Sequence, residues 1–147
     1  MNIIEHELGH VCLGVQVSDV VRVSLENDVY LVESMPTVFE SGGPSGLLRF
    51  LLAGMAMEVA AQGKTVDSYE DLIEKSEFGV FDIEEIAGLR DGGMFCQEDI
   101  DQASRELVIQ MMDVRRQYGD SLAVYRNALK TLETDGDAKC FKAAQLH

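Results

Sequence analysis

Apolar and polar positions repeat along this chain with two periods, one near 3.6 and one near 2, and the switches between them mark its elements. Ile3, Ile4, Val11 and Leu13 give an opening helix its apolar surface, with Asn2 as N-cap, Glu5 completing a capping box and Gly14 as the stop. Residues 20–25 alternate and are rich in valine, Glu26-Asn27-Asp28 is turn chemistry, and residues 29–32 resume the β pattern, which predicts a small hairpin. Ser41-Gly42-Gly43-Pro44-Ser45-Gly46 reads as a loop from which Pro44 or Ser45 opens a helix that runs to about Gln62 and ends at Gly63. That helix is apolar almost all round, the mark of a central buried element. Short helices follow at residues 68–73 and 82–89, a turn at Asp91-Gly92-Gly93, and a long helix over 97–118 whose Ile100, Ala103, Leu107, Met111 and Val114 partly follow a 3.6 period. Asp120-Ser121 caps a last helix reaching about Leu132, and the tail after Gly136 reads as loose. The fold class expected is a mainly helical α+β single domain, zincin-like, with a small β-hairpin or sheet.

Composition narrows this picture. The 147 residues can bury a real core, and 26 acidic against 12 basic residues leave a net charge of −14. That field repels a nucleic-acid backbone or an anionic membrane surface, so neither is expected as a partner. The longest apolar stretch, 47–61, is broken by Arg49 and Glu58, and no membrane span or signal peptide is expected. Cys12, Cys96 and Cys140 are an odd, scattered set, which argues for reduced thiols and a cytoplasmic location.

Chemistry concentrates at His6-Glu7-Leu8-Gly9-His10, an H-E-x-x-H pattern. On a helix, positions i and i+4 share a face, so both imidazoles can converge on one ion. Glu7 then falls beside a water activated by that ion, where a general base is needed. Three histidines exist in the chain, and two of them occupy the motif. A catalytic Zn²⁺ site uses three protein ligands and one open position. The third candidate here is a carboxylate set in an apolar helix: Glu58, in Ala53-Gly54-Met55-Ala56-Met57-Glu58, or Asp99, in Glu98-Asp99-Ile100-Asp101. Spacing does not choose between them; a folded-back His147 is the one histidine alternative. Cys96, close before Asp99, is either a metal neighbour or a core thiol.

These blocks, taken in order, resemble the FtsH-type zinc peptidases. That family has a His-Glu-Ala-Gly-His motif, a glycine-rich helix with a glutamate, and a later helix opened by an aspartate and closed by Tyr-Gly; this chain has Glu58 before Gly63, and Asp99 before Tyr118-Gly119. The resemblance implies zinc on His6, His10 and Asp99, Glu7 as the catalytic glutamate, and Glu58 orienting a ligand from behind. Leu8 departs from the family's alanine, and residues 64–93 read as an acidic insertion that could cover the site. No counterpart of the family's ATPase domain or membrane anchor is recognisable in these residues. The resemblance therefore implies ATP-independent hydrolysis of short or unfolded peptides, with a separate unfoldase for folded proteins. Two rivals stand beside it: an ImmA/IrrE-like metallopeptidase with Glu58 as third ligand, and a non-catalytic zinc-binding interaction module.

Overall fold

The computed structural model of the protein describes residues 3–142; Asn2 and His147, which carried two of the expectations above, lie outside them. The fold is α+β and mainly helical. Helix α1 (Ile3–Val17) is buried over almost its whole length and lies against α2 (Val38–Ala61), its most extensive partner. Close approach of these two helices depends on Gly9, where an added Cβ would stand 2.2 Å from the Ala53 carbonyl oxygen. Gly14 does not stop α1. It sits in the last turn of the helix, against Val21, and three more helical residues follow it.

Glycine and proline shape α2. Gly43 (φ 67°) breaks the helix just before Pro44, so the expected loop holds a short helical turn capped by Thr37, and the buried helix starts after it. From Leu51 to Ala60 every residue is buried. By length and composition α2 could cross a membrane, a point the broken apolar stretch had argued against; 67% of its apolar window is buried inside this protein. Its other side packs on α5 (Gln97–Gln117).

Strands β1 (Val20–Glu26) and β2 (Val29–Met35) form the expected antiparallel hairpin, with Asn27 and Asp28 in the left-handed region at the turn. The tail is not loose after Gly136: β3 (Lys139–Lys142) pairs with β1, giving the order β2-β1-β3. Phe141 pins this strand, buried against Tyr125 of α6 (Gly119–Asp135). Strand β2 is left on an edge. Glu5, expected to cap α1, instead accepts from Arg115 of α5 at 2.7 Å and Arg126 of α6 at 2.8 Å, and so ties three helices together.

The acidic stretch 64–93 folds as α3 (Tyr69–Lys75) and α4 (Val80–Asp91). Gly79, at the N-cap of α4, meets the Met55 side chain of α2 closely enough that a Cβ would stand 2.4 Å from the sulfur. This contact lays the first turn of α4 beside the helix pair α1–α2.

Candidate metal centre

The i,i+4 spacing does what helix geometry requires: His6 Nε2 and His10 Nε2 lie 3.1 Å apart. Each ring is held from behind. His6 Nδ1–H donates to Glu58 Oε2 at 2.7 Å, and His10 Nδ1–H donates to the Phe50 carbonyl at 2.8 Å. Because a carboxylate and a carbonyl only accept, each imidazole carries its neutral proton on Nδ1. Both Nε2 atoms therefore present lone pairs to the same point.

A third lone pair meets them. Asp82 Oδ2, from the first turn of α4, is 2.9 Å from His6 Nε2 and 3.2 Å from His10 Nε2. Three acceptors this close repel one another unless a cation or a proton stands among them. A tetrahedral zinc ion with bonds of 2.0–2.1 Å separates its ligand atoms by about 3.3 Å. The separations found, 2.9 to 3.2 Å, are close to that edge length. His6, His10 and Asp82 thus fit a divalent ion in distance and in donor chemistry. Gly54 leaves the room, since a Cβ there would stand 2.5 Å from His6 Nε2 and 2.7 Å from His10 Nε2.

Electrostatics point the same way. Burial alone would depress the His6 pKa, but hydrogen bonds to Asp82 and Glu58 and the charges of Glu7 and Asp82 outweigh it and push it up to about 9. Asp82 shows the mirror image: burial would raise it, yet His10 and His6 pull it down to about 2. A proton and a metal cation would compete for the same lone pairs. Glu58 is held by three donors, His6 Nδ1–H and the backbone N–H groups of Glu77 at 2.8 Å and Phe78 at 3.4 Å. It reaches His6 from the Nδ1 side, away from the point where the lone pairs converge, and it anchors the loop leading into α4.

Asp99 does not join this cluster. It occupies the first turn of α5, where its carboxylate closes a capping box on the Cys96 backbone N–H, and it lines a separate groove with Leu48, Arg49 and Phe95. Exposed Cys96 is the N-cap of that helix and is placed neither in the core nor beside the imidazoles. The acid beside the histidines, Asp82, was missed because residues 64–93 read as a covering insertion. A signal was present, since Asp82 opens a helix expected over 82–89, three residues after Gly79.

Glu7 lines the same cavity, of about 190 Å³, with both imidazoles and Asp82. It is buried, burial raises its pKa while His10 and His6 oppose the rise, and among the described residues it makes no hydrogen bond or ion pair. A carboxylate so placed is free to take a proton from a water in the cavity. Tyr30 and Val32 of β2, Phe50, Leu51, Phe78, Phe81 and Glu85 complete the walls. Set against known protein families and against curated proteins, the chain matches no family model and no curated protein.

Proposed function

We propose that the protein is a zinc-dependent metallopeptidase with a zincin-like, FtsH-type site built from His6, His10 and Asp82. The observation that carries this reading is the meeting of three lone pairs within 2.9 to 3.2 Å, with both Nδ1 protons already committed elsewhere. Two imidazoles and one carboxylate favour zinc over magnesium or calcium. A bound zinc ion would supply Lewis acidity and bring the pKa of a water to about 7. Glu7 takes the proton as water attacks the peptide carbonyl and returns it to the departing amine. Glu58 keeps the His6 ring oriented, a role whose loss typically costs about 10–100-fold in metal affinity. The edge of β2, beside the cavity, offers an extended peptide a strand to pair with. Three free cysteines suit a compartment that keeps thiols reduced, and we place the protein in the cytoplasm.

Metal analysis of the purified chain tests this reading. One zinc per chain is expected, lost in Asp82→Ala and retained in Asp99→Ala. Unfolded casein should be cut by the wild type and not by Glu7→Gln. Zinc loss on Asp99→Ala with retention on Asp82→Ala would overturn the ligand set. The rival with Glu58 as ligand needs that carboxylate to leave His6 Nδ1 and two backbone amides, and nothing in the geometry favours it. Zinc present with equal, absent hydrolysis by wild type and Glu7→Gln would mean a non-catalytic zinc module instead.

A further inference from the structure

Peptide hydrolysis at this cavity would need more than a base. Negative charge builds on the carbonyl oxygen as water adds to its carbon, and a hydrogen-bond donor would stabilise it beyond what a bound metal supplies. The cavity is poor in donors: Glu7, Asp82 and Glu85 are acceptors, and the remaining walls are mostly apolar. Both imidazoles have already spent their Nδ1–H groups on Glu58 and Phe50. Among the lining side chains, Tyr30 alone brings an O–H.

Strand geometry puts that side chain on the cavity wall. Tyr30 and Val32 are two residues apart, so they share a face of β2, and both line the cavity. The Tyr30 hydroxyl donates to Glu133 of α6, on the exposed side of the molecule. Partial burial and the Glu133 carboxylate keep the phenol protonated well above neutral pH, with Glu7 adding to the effect. A solvent-side carboxylate is a partner that can be exchanged.

We propose that Tyr30 is the side-chain donor to the carbonyl oxygen of the scissile peptide, leaving Glu133 for that oxygen as the tetrahedral adduct forms. This rests on the peptidase reading. Water's oxygen bonds to the carbonyl carbon, the π pair moves onto the carbonyl oxygen, and Glu7 takes the water's proton. Tyr30 donates a hydrogen bond to that oxygen and keeps its own proton. When the C–N bond breaks, the pair on oxygen restores the carbonyl and the proton held by Glu7 passes to the amine.

The test uses the full chain with zinc added, a fluorogenic peptide and a peptide carrying a phosphinic group at the cleavage position. Tyr30→Phe should lower kcat by about 10²–10³-fold with little change in KM. By calorimetry, the same variant should lose a similar factor for the phosphinic peptide. It should lose almost nothing for the uncut parent peptide, the latter measured with Glu7→Gln present. Zinc content should not change. Glu133→Ala removes the same link from the α6 side and should keep the preference for the phosphinic peptide. A wild type that cuts and binds, beside a Tyr30→Phe variant with undiminished phosphinic affinity, would overturn the role of Tyr30. So would equal losses of that preference in Tyr30→Phe and Glu133→Ala, which would mark a structural tie. A wild type that neither cuts nor binds either peptide would overturn the peptidase reading, and the role of Tyr30 with it.

Discussion

Replacing Gly54 with alanine adds one methyl group at the most sensitive point of the cluster. That carbon would stand 2.5 Å from His6 Nε2, 2.6 Å from His6 Cε1 and 2.7 Å from His10 Nε2. Non-bonded heavy atoms settle at about 3.5 Å, so the two rings must retreat by roughly 1 Å. Metal bonds tolerate only about 0.2 Å. The rings cannot retreat freely, because Glu58 and the Phe50 carbonyl hold them from the far side. Zinc affinity should therefore fall by at least about 100-fold, the upper end of what losing a supporting contact costs. Stability should change far less: overpacking costs about 1–3 kcal/mol, and replacing glycine by alanine inside a helix returns about 1 kcal/mol. Competition with a chromophoric chelator reads the affinity, and thermal melting in EDTA reads the fold. Gly88→Ala on α4, where an added Cβ meets nothing within 4 Å, is the control and should keep wild-type affinity. A Gly54→Ala protein that binds zinc like the wild type would refute the ring placement on which the metal centre depends.

Other expectations follow from the same packing. Glu5→Ala leaves Arg115 and Arg126 without their shared carboxylate; both are partly exposed, so the loss should be about 2 kcal/mol rather than the full cost of breaking a buried pair, seen as a lower Tm. Cys12 is fully buried, and burial, with Glu5 adding to it, pushes its thiol up to about 12. Since only the thiolate reacts, an aromatic disulfide reagent at pH 8 should titrate exposed Cys96 and Cys140 in the native protein and reach Cys12 only in denaturant. Casein should be cut far faster than a compact folded protein, because the cavity of about 190 Å³ admits a locally extended chain and not a packed domain; equal rates would contradict the substrate class.

Local geometry was legible in the residues themselves. The hairpin, the buried helix and the convergence of His6 and His10 each depend on periods or spacings within one element, and helix pitch alone puts two imidazoles together. The strand at Lys139–Lys142 was not, because a four-residue segment gains its order from pairing with β1 and from the Phe141–Tyr125 contact. Gly14 likewise reads as a local stop, whereas its small size serves a contact with Val21, as that of Gly9 serves one with Ala53.

The motif determined that two imidazole nitrogens meet with a glutamate beside them, because His6 and His10 lie about one helix turn apart. It could not determine the third donor. Asp82 and Asp99 are both first-turn acids of helices far along the chain, and in sequence they look alike. Packing separated them. Gly79 against Met55, and the Glu77 and Phe78 amides on Glu58, bring the start of α4 onto the imidazoles. Asp99 caps its own helix elsewhere. A residue's place within a helix is set by its neighbours in sequence; which helix end meets the site is set by how helices pack, and only the tertiary structure holds that information.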